Sequence, residues 1–218
     1  MDTHPLTDSR LDDIPVEECG EPLVDVGAVD ALAADPRLCG RAGSSTRLRS
    51  TVVDRLVIAQ SLLPRGLRLL IVEGHRSADR QREHFDECVA VLAAAHPDWS
   101  RHRVREEAGW HCSPSGTAPH LTGAAADLTL CDVRGVELDL GCPVHAAPTG
   151  GACRTDAAQI GAPARAHRDI LGTALLGAGL INLPTAWWHW SFGDPYWALV
   201  TGTRAAIYGV VEPTSTKD

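Results

Sequence analysis

The first half of the chain alternates between helical and strand-like spacing of apolar residues. Apolar residues recur every three or four positions over 44–63, which predicts a helix that Ser44-Ser45-Thr46 would cap. The run 67–72 is short, continuous and rich in branched apolar residues, so it predicts a central strand. Ser77 and His96-Pro97 are the start and stop signals of a second helix over 78–95. We expect a short third helix over 99–108.

The middle of the chain predicts a loop followed by a hairpin. Residues 109–119 contain Gly, Pro and Ser at a density that excludes regular structure. Strands are then predicted over 124–130 and 136–140, with a turn at Asp132-Val-Arg-Gly135 between them. Residues 141–154 are again rich in Gly, Pro and Cys and predict a second loop.

The last third predicts a helix over 156–177, a strand over 187–192 and a final strand over 205–211. The N-terminal residues 1–43 have weak periodicity, so we expect an arm packed on the domain, with short strands at most. Helices and hairpins are segregated along the chain, which predicts an α+β fold with helices around a mainly antiparallel sheet. We expect residues 1–218 to form a single domain.

Composition narrows the classes of function. With 218 residues, 44% apolar and 22% charged, the chain has the make-up of an ordinary globular protein. The net charge of −8 argues against a nucleic-acid partner. No apolar run is long enough for a membrane span, and the acidic N-terminus does not resemble a signal peptide. Seven cysteines without a Cys-x-x-Cys pair favour reduced thiols, so we expect a cytoplasmic protein; the sequence leaves a homodimer open.

Two segments contain candidate metal-binding or catalytic residues. His120 follows Pro119, and Asp127 comes seven residues later in an apolar strand. His189 lies in an equally apolar strand between two tryptophans. A carboxylate in such surroundings must be paired or bind a metal, because burying a bare charge is costly. Two imidazoles and one carboxylate suit a catalytic Zn²⁺ and equally suit non-haem Fe(II); hydrogen-bonded structural roles are the commoner alternative.

The spacing of these residues resembles a known family. The pattern S-x-x-x-P-H-x-x-G-x-A-x-D from Ser115 to Asp127, followed by P-T-x-W-W-H-W-S-x-G-D from Pro184 to Asp194, is similar to the VanX-like D-alanyl-D-alanine dipeptidases of peptidase family M15. The resemblance covers about residues 60–210. It implies zinc bound by His120, Asp127 and His189, and a small dipeptide or amino-acid substrate. It also implies that Arg76, in Glu73-Gly-His-Arg76, stabilises the oxyanion of the tetrahedral intermediate.

One position departs from the family pattern. The family has Glu-Trp-Trp-His, where Glu takes a proton from the attacking water and passes it to the leaving amine. Here Ala186 stands at that catalytic position, and loss of a general base typically costs about 10²–10⁴-fold in rate. Strict alternation would place Ala186 on the face opposite His189, so the family's Glu must reach the metal from an irregular strand entry.

Three explanations of Ala186 remain open: an engineered inactivation, a natural relative with changed chemistry, and a pseudoenzyme that binds a small ligand. Departures elsewhere, such as His75 in place of the family's usual Tyr, favour natural divergence. The second explanation includes Fe(II)-dependent oxidative chemistry on an amino acid. Glu73, His75 and His111 are candidate replacement bases or extra ligands, with a structural role the commoner expectation for each. The residues expected to contact substrate are Glu73, His75, Ser115, Thr117 and Trp188.

Overall fold

The computed structural model describes residues 4–35, 45–114, 116, 118–149 and 151–211. Its helices are α1 (Ser50–Leu62), α2 (Ala78–Ala95), α3 (Arg101–Ala108), α4 (Ala162–Gly177) and α5 (Pro195–Thr201). Its strands are β1 (Leu23–Asp25), β2 (Ala33–Ala34), β3 (Arg47–Arg49), β4 (Leu67–Glu73), β5 (Ala125–Asp132), β6 (Ile181–Leu183) and β7 (Ala186–Ser191). Short 3-10 turns lie at Ser9–Leu11, Val26–Ala28 and Pro119–Thr122.

The main sheet of the described residues has the strand order β2-β4-β5-β7-β6. Every neighbouring pair in it is antiparallel except β2 with β4, and a separate antiparallel pair joins β1 to β3. Helices pack around this sheet, so the α+β prediction is confirmed. The register places Glu73 of β4 opposite Asp127 of β5, and Asp127 opposite His189 of β7. Three chemically active residues therefore form one row across the centre of the sheet.

The capping signals located α2 and α3 closely. Ser77 caps α2 by accepting a hydrogen bond from the Arg80 backbone at 3.3 Å, and α2 ends at Ala95 with His96 as its C-cap. The predicted span 78–95 is thus confirmed. Ser100 caps α3 in the same way, so α3 begins two residues later than predicted.

Four predicted elements differ from the structure. The first helix begins at Ser50 and not at residue 44, because 47–49 pair with β1 as a strand. Residues 136–140 form no return strand and make a single bridge between Cys131 and Glu137. Helix α4 begins at Ala162, since Pro163 fits the first turn of a helix. Residues 205–211 form only a bridge from Ala206 to Val16.

Two elements were not predicted. Strand β6 extends the sheet beside β7, and helix α5 follows the second motif. Asp194 caps α5 by accepting a hydrogen bond from the Trp197 backbone at 3.1 Å, with Pro195 in the first turn. In the described ranges, no helix has the length and apolar character that crossing a membrane requires.

The N-terminal residues pack into the main core. Leu6, Leu11, Val26 and Leu32 are buried in the same apolar cluster as the sheet and α1. Strands β1 and β2 each pair with a strand of the body, so short strands do occur in this arm. Of the predicted arm, residues 36–43 lie outside the described part of the chain.

Candidate metal centre and its pocket

Asp127 lies between two buried histidines. Its Oδ1 is 2.9 Å from Nδ1 of His189, and its Oδ2 is 3.2 Å from Nε2 of His120. All three side chains are buried, and one potential ligand atom from each lies within 4.8 Å of the others. The sheet register and the turn before β5 thus bring together the three residues that the sequence predicted as metal ligands.

A tight turn orients the His120 side chain toward Asp127. The turn Pro119–Thr122 ends at Gly123, whose φ of 69° is left-handed and whose missing Cβ would lie 2.4 Å from Leu23 Cδ2. The Nδ1 atom of His120 lies 2.7 Å from the Gly74 carbonyl oxygen, to which it donates a hydrogen bond. The lone pair is then on Nε2, which faces Asp127, and such fixing of the tautomer is typical of metal-binding histidines.

The electrostatics of the three side chains suit a cation. Burial would raise the pKa of Asp127, but the close imidazoles of His120, His145 and His189 hold that pKa well below its usual range. Burial lowers the pKa of His120. An ionised carboxylate beside a neutral imidazole is the protonation state that binds a divalent metal. The residues therefore fit the zinc implied by the motifs.

Arg76 is held beside Asp127 by a buried network. Its Nε and Nη2 donate to the two oxygens of Glu73 at 3.0 and 2.5 Å, and its Nη1 donates to Gln81 Oε1 at 2.9 Å. Nη2 also lies 3.8 Å from Asp127 Oδ2. Burial would raise the pKa of Glu73, but the charge of Arg76 lowers it below its ordinary value. Glu73 is therefore an ionised partner of Arg76, which orients the guanidinium toward the metal ligands.

An irregularity in β7 brings Ala186 to the site. The pairing of β6 with β7 runs from Asn182 opposite Trp190 directly to Leu183 opposite Ala186, so β7 bulges between these pairs. The Nδ2 of Asn182 lies in this bulge. It donates to the carbonyl oxygen of His189 at 2.9 Å and to the carbonyl oxygen of Ala186 at 3.3 Å. The bulge lets Ala186, Trp188 and His189 all line one pocket, which confirms the irregular strand entry expected from the sequence.

The pocket beside the metal ligands is small and mostly apolar. Its volume is about 220 Å³, below the ~300–1,000 Å³ of sites for drug-sized ligands. Three further histidines, His84, His111 and His145, stand in its wall. Burial, with a smaller contribution from the charge of Arg76, lowers the pKa of His84 to about 3. The pocket therefore offers the neutral imidazole of His84 and apolar surface to a small ligand.

The remaining predicted site residues are placed differently. Arg76, His111 and Trp188 line the pocket, whereas Glu73 lies behind Arg76. His75 is not among the described residues that line it; its backbone pairs with Ser45 and Arg47. Ser115 and Thr117 lie outside the described residues, so their contact with substrate stays a prediction.

Sequence reasoning missed His145. Its Nε2 lies 2.7 Å from Asp127 Oδ2 and 3.6 Å from Glu73 Oε2, and its ring stands edge-on to Trp188. Its φ of 61° is the left-handed conformation that side chains other than Gly seldom adopt, and such strain concentrates at functional sites. The loop 141–154 has no periodicity, so the only available signal was a histidine in a loop near the motifs.

Comparison with known proteins agrees with this geometry. The family model of the D-Ala-D-Ala dipeptidases, peptidase M15, matches residues 48–201. A D-alanyl-D-alanine dipeptidase of Synechocystis sp. (strain ATCC 27184 / PCC 6803 / Kazusa) is 28% identical over 241 aligned positions, which cover 91% of this chain and 95% of that protein. The match extends over most of the sheet and all three candidate ligands. The chain belongs to the D-Ala-D-Ala dipeptidase family of M15 peptidases.

Proposed function

We propose that His120, Asp127 and His189 hold a zinc ion and that the adjoining pocket binds a D-Ala-D-Ala-like dipeptide or a related amino-acid ligand. The observation that carries this proposal is the convergence of the three ligand atoms at the edge of a small pocket. A bound zinc would supply Lewis-acid polarisation of the scissile carbonyl and a lowered pKa for water. Membership of a dipeptidase family supports this substrate class.

Arg76 would stabilise negative charge that develops on the substrate. Burial alone would lower its pKa, but the charge and hydrogen bonds of Glu73 raise it, so the guanidinium stays protonated. Each of its three nitrogens donates to Glu73 or Gln81, which fixes the plane of the group. A preorganised donor of this kind contributes about 2.7–4 kcal/mol when an oxyanion forms in a site that excludes water.

With Ala at position 186, the chain lacks the Glu that would act as general base and move the proton. The Ala186 side chain lines the pocket and ends in a methyl group, which neither accepts a proton from water nor delivers one to a leaving amine. We therefore expect the protein to bind the ligand and to hydrolyse it poorly. Among the pocket imidazoles, His145 is already engaged by Asp127.

The direct test restores the missing carboxylate. We expect Ala186→Glu to raise kcat for D-Ala-D-Ala hydrolysis by about 10²–10⁴-fold with zinc bound. The matched control is Ala186→Gln, which has nearly the same shape but no base and should stay at the wild-type rate. Metal content is measured in all three proteins, so that loss of zinc is not mistaken for loss of the base.

Two results would overturn the proposal. If the wild type binds no divalent metal and Asp127→Asn changes nothing in metal titrations, the metal centre is wrong. If zinc binds but neither wild type nor Ala186→Glu binds D-Ala-D-Ala in calorimetry, the proposed substrate class is wrong.

A second candidate function follows from the donor set itself. Two histidines and one carboxylate without a neighbouring carboxylate base also match the ligand set of Fe(II) oxygenases. We propose oxidative chemistry on an amino acid as this alternative. Oxygen uptake by the iron-loaded protein with candidate amino acids tests it, and bound iron with no uptake counts against it.

A further inference from the structure

A pair of cysteines lies beside the pocket, outside the proposed metal site. Cys142 is half-buried, and Cys153 is buried and lines the pocket. The Sγ of Cys142, when protonated, donates to the carbonyl oxygen of Ala152 at 3.4 Å, and Ala152 is the residue before Cys153. The Sγ of Cys153 donates to the carbonyl oxygens of Ala146 and Ala147 at 3.5 and 3.4 Å. The Cys142 sulfur thus lies against the backbone next to Cys153, and it reaches partly to the surface.

Two nitrogen donors converge on the sulfur of Cys142. The indole Nε1 of Trp187 donates to Sγ at 3.3 Å, and Nη2 of Arg168 donates to it at 3.9 Å. An indole N–H only donates, and a guanidinium is always charged. A sulfur that receives both is favoured as the thiolate.

Arg168 has no carboxylate partner among the residues that the structure describes. It is 4% exposed, and its guanidinium donates to the backbone carbonyl oxygens of Leu140, Ala152 and Arg154. Carbonyl groups satisfy the hydrogen bonds but do not neutralise the charge, and an uncompensated buried charge is costly. A thiolate at Cys142 would supply the missing negative charge.

We propose that Cys142 and Cys153 form a dithiol that hydroperoxides oxidise to a disulfide. The Cys142 thiolate attacks the O–O bond of the peroxide, which gives a sulfenic acid and releases hydroxide or alkoxide. The Cys153 thiol then attacks the sulfenic sulfur, the S–S bond forms and water leaves. The peroxide is reduced by two electrons and the two thiols are oxidised by two electrons.

The titration behaviour of the pair agrees with these roles. The nearby Cys153 thiol, together with Trp187 and Arg168 and against the opposing effect of burial, lowers the pKa of Cys142 to about 6. The nearby Cys142 sulfur and burial raise the pKa of Cys153. Cys142 is therefore the attacking thiolate, while Cys153 keeps its proton until the second step.

The chain allows a sharp test. The two cysteines lie on one tryptic peptide, 135–154, which contains no other cysteine. Reduced wild-type protein is treated at pH 7 with about one equivalent of hydrogen peroxide, then alkylated, digested and analysed by mass spectrometry. We expect this peptide to lose two hydrogens and to escape alkylation, whereas fully buried Cys131, whose pKa burial raises, stays reduced and serves as the internal control.

Two variants assign the roles. Cys153→Ser should stop at the sulfenic acid, trapped on peptide 135–154 by a cyclic 1,3-diketone. Cys142→Ser should react with peroxide at least about tenfold more slowly than wild type. Peptide 135–154 remaining fully alkylated after peroxide treatment of the wild type, or Cys142→Ser reacting as fast as wild type, would overturn the proposal. The wild-type measurement needs no variant to fold and is independent of zinc and dipeptide binding.

Discussion

At the scale of single residues, the site is organised around one carboxylate. Asp127 contacts His189 through Oδ1, and His120 and His145 through Oδ2, with Arg76 at 3.8 Å. Several polar groups thus converge on one buried carboxylate. The arrangement fits a carboxylate that shares its charge with a cation while its other contacts orient it.

His145 is expected to orient Asp127 for the metal. Replacement by Asn removes the ring but retains a residue that tolerates left-handed φ, so His145→Asn tests the contact and not the backbone. We expect zinc affinity to fall about 10–100-fold, the usual effect of losing an outer partner of a ligand. Competition with a chromogenic chelator measures it. His111→Asn, in the same pocket wall, is the control and should keep the wild-type affinity; equal losses in both variants would contradict the role of His145.

His84 predicts a pH dependence of stability. Burial lowers its folded pKa to about 3, whereas an unfolded histidine titrates near about 6.5. Between these values the unfolded chain binds the additional proton, so stability is fully present above about pH 6.5 and is lost as pH falls. We expect the free energy of unfolding of the metal-free protein to drop by about 1–2 kcal/mol from pH 7 to pH 5 through His84. Denaturant unfolding measures this free energy, and in His84→Gln it should change less with pH than in the wild type.

At the scale of elements, the bulge in β7 decides what lines the pocket. Regular alternation would place the side chains of Ala186 and His189 on opposite faces of the strand. The side chain of Asn182 stabilises the bulge instead, because it donates to the carbonyl oxygens of Ala186 and His189. The site is therefore a property of the β6–β7 pair as well as of the ligand residues.

Removal of the Asn182 side chain should loosen this bulge. We expect Asn182→Ala to lower the free energy of unfolding by about 1–3 kcal/mol, because buried carbonyl groups lose their donor. Zinc affinity should fall as well, since His189 is fixed from this side. Thr155→Val is the matched control: it removes the hydrogen bond from Thr155 to Asn182 Oδ1 and leaves the bulge contacts in place. An unchanged zinc affinity in Asn182→Ala would show that the bulge does not position His189.

The sequence located elements where local chemistry sets the boundary. Ser77 and His96-Pro97 fixed both ends of α2, because caps act within a few residues. A boundary set by distant pairing was missed: residues 47–49 are a strand because they pair with β1. Residues 136–140 hydrogen-bond to Leu130 and Asp132 but make only one bridge, from Glu137 to Cys131, so they form no strand. The metal ligands were found through motif spacing. His145 was not, because its contact with Asp127 depends on a loop without periodicity.

At the scale of the whole molecule, the N-terminal arm contributes to the framework that supports the site. Arg49 connects several distant segments: it donates to the carbonyl oxygens of Thr122, Glu21 and Gly209 and pairs with Glu18. Thr122 belongs to the turn that carries His120. A short chain of contacts therefore links the arm to the turn that carries His120.

Glu21 makes a second polar connection between the arm and the body. Its carboxylate accepts hydrogen bonds from Ser50, from the backbone and hydroxyl of Thr51 at the start of α1, and from Tyr208 near the end of the described chain. Burial would raise its pKa, but these donors lower it, so its contribution is present above the unfolded value of about 4.5 and is lost in acid.

We expect Glu21→Gln to lower the free energy of unfolding by about 1–2 kcal/mol at pH 7, because an amide replaces one acceptor oxygen by a donor that faces other donors. Exposed Glu17, in the same arm, is the matched control, and Glu17→Gln should be neutral. Urea unfolding at pH 7 and pH 4 measures both variants, and the difference between Glu21→Gln and wild type should shrink at the lower pH. A Glu21→Gln protein as stable as the control at pH 7 would mean that the hydrogen bonds of the Glu21 carboxylate do not stabilise the arm on the body.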